Sequence, residues 1–397
     1  MTPEREETPH ARTPGSARRR LLFLSPLPPP TGGIPTWTLG VLGSSLRSDF
    51  VLRIVNTSPS QCDGVYGSSR LRWSRVLDAM RILGSLFWQL LRFRPRIVHV
   101  NTPYQWALLR DGLAIWLAWA FRTRTVLHFR GGDFPESVER ASRLVRWAIL
   151  ATLRRTDRLV ALTRHTELFL RRVVGHDHVR YVPNFVRVAD FDPLPDRAER
   201  KDPCVEVLFV GWIIPAKGVG ELLDVAGRVP GAHFTLVGPA EQTYLESLQP
   251  TLASLGECVT LLDPLPRQEI LELYRRADVF VLPTWREGFP NVVLEAMAAG
   301  LPVVATPVGA IPDAVREGEE GLLIPPRDVQ ALEAALRQLV ESATLRLAMG
   351  KRARIRAEEV FDLEAVISQL RAVYDELSES APRPAAETSA ARSGSVR

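Results

Sequence analysis

Short apolar runs alternate along this chain with longer stretches of helical periodicity, the pattern of a parallel sheet wrapped by helices. In the first half, strands are predicted at residues 21–25, 50–56, 97–101, 125–129, 158–162 and 179–182, with helices near 70–93, 104–121, 137–155 and 164–173. A polar, proline-containing stretch at 190–203 reads as a linker, after which the alternation starts again. The second half predicts strands at 205–210, 233–237, 259–262, 279–283 and 302–306, separated by helices at 218–228, 241–255, 267–275 and 290–299. The expected fold class is therefore α/β, with two Rossmann-like, doubly wound parallel-sheet domains facing across a cleft. Open sheets of this kind bind ligands at the carboxyl ends of their strands, and two facing domains bring those ends together.

Composition narrows the class without naming the chemistry. A hydrophobic fraction of 46% and a charged fraction of 24% are those of a soluble globular protein. Cys62, Cys204 and Cys258 are far apart and lack metal-ligand spacing, which suits a reducing compartment and no disulfide framework. Residues 1–20 lack the apolar core of a signal peptide, and both they and 381–397 read as disordered tails. The expected location is cytoplasmic, or peripheral at the inner face of the cell membrane. The net charge of +5 comes almost wholly from arginine, and no nucleic-acid module accompanies it, so no nucleic-acid partner is expected. Lys201, Lys217 and Lys351 are the three lysines of the chain, which draws notice to any of them standing in a loop.

The segment from Pro283 to Gly300 carries the most chemistry: Pro-Thr-Trp-Arg-Glu-Gly-Phe-Pro-Asn-Val-Val-Leu-Glu-Ala-Met-Ala-Ala-Gly. Glu287 and Gly288 fall where a strand end passes into a helix, and Pro290 suits the first helical turn, where its missing N–H costs nothing. Gly288, Phe289 and Asn291 can then turn backbone N–H groups toward a diphosphate at the positive end of the helix dipole. About two turns on, Glu295 can accept hydrogen bonds from a ribose diol, while Glu287 can reach sugar hydroxyls.

Glu287 and Glu295, set in Glu-Gly-Phe-Pro-Asn and followed by Glu-Ala-Met-Ala-Ala-Gly-Leu-Pro-Val-Val-Ala-Thr, resemble the retaining glycosyltransferases of family 4, with their group 1 domain and B-type fold. The resemblance covers about residues 20–380 and is densest over 205–325. It implies an N-terminal acceptor domain of residues 21–190 plus a returning helix at 361–378, and a C-terminal nucleotide-sugar donor domain at 201–360. In Gly211-Trp-Ile-Ile-Pro-Ala-Lys-Gly218 it assigns Lys217 to the donor diphosphate, while the family's usual arginine is replaced by Trp212. It places Thr31-Gly32-Gly33 beside the phosphates and the acceptor, and His128 of His-Phe-Arg-Gly-Gly-Asp near the transferred sugar. Arg130 and Asp133 are weaker candidates, and Pro183-Asn184-Phe185 matches a segment that ends the first domain.

The activity implied is retaining transfer of a hexose-type sugar from a UDP- or GDP-sugar to a glycan or lipid-linked glycan, with no metal and no separate cofactor. By the same resemblance, attack comes from the front face and the leaving diphosphate takes the acceptor's proton. Two rival readings stay open. One is a nucleotide-sugar epimerase, against which the Glu-Gly-Phe-Pro-Asn loop speaks; the other is a non-catalytic nucleotide-sugar-binding subunit, supported by Trp212.

Between Arg70 and Arg96 there are seven arginines and one acidic residue, Asp78. Val76, Met80, Leu83, Phe87 and Leu90 recur there at helical spacing, with Trp73 and Trp88 nearby. Such a helix can rest on an anionic membrane. It can equally face its apolar side into the core, the commoner outcome.

Overall fold

The computed structural model describes residues 18–29, 32–60, 73–103, 106–132, 134–195, 197 and 204–379. Thr31, Asp133, residues 1–17 and 380–397, and most of the expected linker after 195 lie outside them. One parallel sheet contains β1 (Arg19–Ser25), β2 (Phe50–Asn56), β3 (Ile97–Thr102), β4 (Arg124–Phe129), β5 (Arg158–Ala161) and β6 (Val179–Tyr181), in the order β2-β1-β3-β4-β5-β6. The other contains β7 (Val205–Val210), β8 (Ala232–Val237), β9 (Val259–Leu262), β10 (Val279–Leu282), β11 (Val303–Ala305) and β12 (Gly321–Leu323), in the order β12-β11-β10-β7-β8-β9. The strand order reverses between β1 and β3 in the first sheet and between β7 and β10 in the second, the points where such sheets open a crevice.

Near-continuous apolar strands such as Leu21–Leu24 and Val279–Leu282 fit a sheet covered on both faces. On one face of the first sheet pack the helices Trp73–Arg92, Trp106–Ala120, Arg143–Arg155 and Arg164–Val174. On its other face lie the helix Gly33–Gly43 and the last helix, Leu363–Glu379, whose Val366, Ile367, Leu370 and Tyr374 are buried against Leu21 and Phe23. The chain end therefore returns to the first domain. Val186, Val188 and Phe191 belong instead to the core of the second domain, so the chain crosses near Val186 and not at the polar stretch that begins at Asp190. The two crossings are tied together: Val186 N–H donates to the Phe361 carbonyl at 2.9 Å, and Leu363 N–H to the Val186 carbonyl at 3.0 Å.

Several elements escape the periodic pattern for physical reasons. The helix Gly33–Gly43 contains three glycines and is apolar on most sides, so it shows no amphipathic stripe. At Gly40 any Cβ would stand 2.4 Å from the Phe185 ring, so close packing requires glycine there. The stretch expected as one helix at 137–155 is two, Phe134–Glu139 and Arg143–Arg155, because Ser142 is extended. β12 has three residues, too few for alternation to be seen. Helices Val329–Glu341 and Ala343–Arg356 were not predicted; Asp328 and Ser342 cap them by accepting from the N–H groups of Ala331 and Leu345. No helix among the described residues is long and apolar enough to cross a membrane.

Candidate active site

The motif loops follow the strands that flank the reversal points. The Gly211–Gly218 loop leaves β7 and the 283–290 loop leaves β10, neighbours in the second sheet. Gly32-Gly33 follows β1, and Arg130-Gly131-Gly132 follows β4. All four meet at the junction of the domains.

In the second domain the two loops are joined to each other. Trp285 N–H donates to the Ala216 carbonyl at 2.9 Å, and the Thr284 hydroxyl donates to the same carbonyl at 3.1 Å. Gly218 has φ +71°, and a Cβ there would lie 2.1 Å from the Pro283 carbonyl oxygen. This zipper brings Lys217 and Glu287 into a direct ion pair, with both side chains largely buried. Gly309, at φ +59°, lets the loop after β11 press on the Glu287 and Gly288 carbonyls, where a Cβ would stand 2.2 Å and 2.6 Å away.

The helix Asn291–Ala298 starts here, with Pro290 just before its first helical residue and not within its first turn. Phe289 is buried in the second-domain core, 6.0 Å from the Phe361 ring, so its side chain is structural. Glu295 accepts from Arg267 at 2.5 Å and from the Tyr274 hydroxyl at 3.1 Å. Burial pushes the Glu295 carboxyl up, against the opposing pull of Arg267 and the hydrogen bonds. Arg267 lies 28 residues away in sequence and was not identified there; only the fold brings it to Glu295.

The first domain approaches closely. A Cβ on Gly132 would lie 3.0 Å from the Glu287 carbonyl oxygen, and one on Gly33 would lie 3.9 Å from Asn291 Nδ2. Gly32 accepts the first turn of its own helix from Thr36 N–H at 3.1 Å. Asn184 spans the junction, its amide donating to the Phe289 carbonyl at 3.2 Å and to Asn291 Oδ1 at 2.9 Å. Arg130 donates in turn to Asn184 Oδ1 at 2.5 Å.

His128 lies inside the first domain, at the end of β4. Its side chain has no exposed surface; Nδ1 faces His99 Nε2 at 3.3 Å and Nε2 faces Arg130 at 3.3 Å. His99 continues the chain of contacts to the Tyr374 hydroxyl at 2.7 Å. Burial drives the His99 ring down to about 3 and His128 well below its ordinary value, so both are neutral. Arg130 stacks 4.4 Å over Trp37 and is only 7% exposed, and no carboxylate among the described residues pairs with it. Its Nε has no hydrogen-bond partner, and burial lowers the guanidinium to about 9. Trp212, where the family's arginine was expected, is 53% exposed.

A hollow of about 400 Å³ beside Leu194 and Arg346, and one of about 620 Å³ beside His233 and Thr260, contain none of these groups. The candidate site is the seam between the sheets. Among the described residues no His, Cys, Asp and Glu cluster has metal-holding geometry.

Both halves of the chain resemble known proteins. The Glycosyl transferase 4-like domain matches residues 53–184, and the Glycosyl transferases group 1 domain matches residues 205–342. The chain belongs to the family-4-type glycosyltransferases. Within that family it is 36% identical over 221 residues to a D-inositol 3-phosphate glycosyltransferase of Corynebacterium jeikeium, covering 50% of this chain and 52% of that protein. It thus spans about half the length of that relative. A glycogen synthase of Mycobacterium tuberculosis is 26% identical over 338 residues, covering 81% of this chain and 80% of the synthase. The fold is the B-type glycosyltransferase fold. Sucrose-phosphate synthase from Thermosynechococcus elongatus superposes with TM-score 0.71 at 20% identity, over 91% of this chain and 99% of its own. Anabaena HepE, solved with UDP, gives TM-score 0.70 at 18% identity, over 90% of this chain and all of its own.

Proposed function

We propose that this family-4-type chain is a retaining glycosyltransferase that moves a hexose-type sugar from a UDP- or GDP-sugar to a glycan or lipid-linked glycan acceptor. On this reading it works in the assembly of a cell-surface polysaccharide or glycolipid. The observation that carries the proposal is the Lys217–Glu287 ion pair held at the domain seam, beside the start of the Asn291 helix and against Gly132 of the other domain. Glu287 hydrogen-bonds sugar hydroxyls, and Lys217 and the backbone N–H groups at 288–291 take the charge that grows on the leaving diphosphate. Glu295, held by Arg267 and Tyr274, receives the ribose diol.

Arg130 supplies the cation that Trp212 does not. A buried guanidinium that no carboxylate among the described residues neutralises is costly, and an anion arriving one side chain away, past Asn184, relieves that cost. His128 acts through Arg130, as a neutral acceptor that fixes where the guanidinium lies. The scheme asks for no metal. The exposed Trp212 favours one rival, a subunit that binds a nucleotide sugar without transferring it. Turnover by the purified chain alone excludes that rival.

Solved neighbours contain UDP or UDP-sugars, so these are the first ligands to test. Thermal unfolding is measured with UDP, GDP, ADP and their sugar conjugates for wild type, Glu295→Ala and Lys217→Ala. Ligand at ~100 Kd adds about 2.7 kcal/mol to the native state. One nucleotide raises the wild-type melting temperature, and both substitutions shrink that rise. If no nucleotide raises it and calorimetry agrees, the donor site is misassigned.

A further inference from the structure

The helix Trp73–Arg92 carries two apolar stripes. Ile82, Leu86 and Leu90 face inward and are at most 3% exposed. On the opposite side Trp73, Leu77, Met80, Phe87, Trp88 and Leu91 are 43–83% exposed. Their spacing gathers them on one side of a rod about 30 Å long. Gly84 takes the remaining turn of that side, with nothing within 4 Å of where its Cβ would be. The apolar set expected from sequence therefore divides, Leu90 going to the core and Met80 and Phe87 to the surface.

The exposed side does not stop at this helix. It packs beside Trp106–Ala120, which packs beside Arg143–Arg155, and all three form one layer. Leu109 and Leu113 on the second helix are 45% and 58% exposed, and Leu144 and Trp147 on the third are 75% and 68% exposed. Scattered exposed apolar residues are ordinary; so many on one layer mark a contact surface. The three helices carry three, one and four arginines against one, one and no acidic residues. Asp111 is buried and paired with Arg110, and Asp78 pairs with Arg81. The outward charge is thus wholly positive in effect. In Arg143-Leu144-Val145-Arg146-Trp147 every side chain is exposed, alternating cation and apolar group over little more than one turn.

We propose that this helical layer docks on an anionic lipid bilayer, with its tryptophans at headgroup depth and its arginines on the lipid phosphates. Tryptophan and arginine share an apolar body and a polar or charged tip, which is what an interface between hydrocarbon and headgroup accommodates. A second copy is a poor occupant, because a two-fold contact sets this surface against itself and arginine against arginine. The layer's helices begin at the carboxyl ends of β2, β3 and β4, the same end as the domain seam. Trp73, Leu144 and Trp147 therefore stand toward the seam, and a docked molecule presents the edge of its cleft to the bilayer. The surface owes nothing to the donor-site reading and stands without it.

The test is flotation of the full chain with phosphatidylglycerol–phosphatidylcholine vesicles at low salt, against phosphatidylcholine alone. The wild type floats with the anionic vesicles. Arg143→Gln and Arg146→Gln each weaken partitioning about fivefold. Trp73→Ser combined with Trp88→Ser and Trp147→Ser abolishes it at every salt concentration. Far-ultraviolet circular dichroism and any nucleotide-dependent thermal shift stay at wild-type values in all these variants, since every changed residue is exposed and none belongs to the donor-site loops. Indifference of the wild type to anionic vesicles, or equal flotation of wild type and variants, overturns the proposal. So does sedimentation equilibrium showing a dimer that the tryptophan substitutions dissolve, or capture of an acidic protein partner by a chain that ignores vesicles.

Discussion

The two domains share a plan and differ in where they put their polar groups. In the second, Val279–Leu282 and Val303–Ala305 are apolar and buried, and the candidate groups stand beyond the strands, Lys217 and Glu287 on loops and Glu295 on the helix Asn291–Ala298. In the first, the strands themselves carry buried polar side chains: Ser25 on β1, His99 and Asn101 on β3, and His128 on β4. These are connected, Asn101 donating to Ser25 at 2.8 Å and His99 meeting both Asn101 and His128 at 3.3 Å. Through Arg130 and Asn184 the network reaches Asn291 of the other domain. On the proposed function, one domain offers groups to a ligand and the other fixes a cation and a bridging amide against it. A buried polar network of this kind is worth having only when its members are satisfied, and Arg130 is the member left partly unsatisfied. That is where an anionic ligand adds most.

The contrast can be broken at three points, in falling order of effect. Lys217→Ala removes the cation of the donor-side pair and lowers kcat/KM by ~10²–10³, read in steady-state assays with the donor identified by thermal shift. A loss smaller than tenfold removes Lys217 from the reaction. Arg130→Met comes next. It lowers donor affinity by ~10–100-fold, the worth of a hydrogen bond to a charged group, while the melting temperature holds or rises because a buried charge that no carboxylate among the described residues pairs with has gone. A destabilised variant with normal donor affinity assigns Arg130 to the scaffold.

The smallest effect is on the pH dependence of stability. Unfolded, His99 takes a proton near 6.5, but folded it refuses one until about 3, so the native state binds fewer protons across that window. Stability is full above the unfolded value and is lost as pH falls, by up to about 1.4 kcal/mol per pH unit for each such histidine. His128 acts in the same direction. Denaturant melts between neutral and mildly acidic pH show this slope in the wild type, and His99→Gln flattens it. An unchanged slope means that water reaches the ring.

Much of this was legible in the chain alone. Short apolar runs between stretches of 3.6-residue period placed every strand of both sheets but β12, and the text around Glu287 and Glu295 announced the family, because strand, turn and helix signals are local in sequence. The helix Gly33–Gly43 was not legible, since its Gly40 answers to Phe185 and not to a local pattern. Nor was the environment of His128, whose contacts with His99 and Arg130 are made by the fold.

What the sequence determined by itself is the set of loops: which residues stand at strand ends, and which of them can carry charge or turn sharply. The tertiary structure alone decided the pairings. Arg267 on Glu295, Asn184 on Asn291 and Tyr374 on His99 join residues 28, 107 and 275 positions apart. It also decided which of two apolar stripes on Trp73–Arg92 is covered. Periodicity reports that a helix side is apolar. Only the neighbouring elements fix whether that side meets the core or the solvent, because burial belongs to the packed layer and not to the helix.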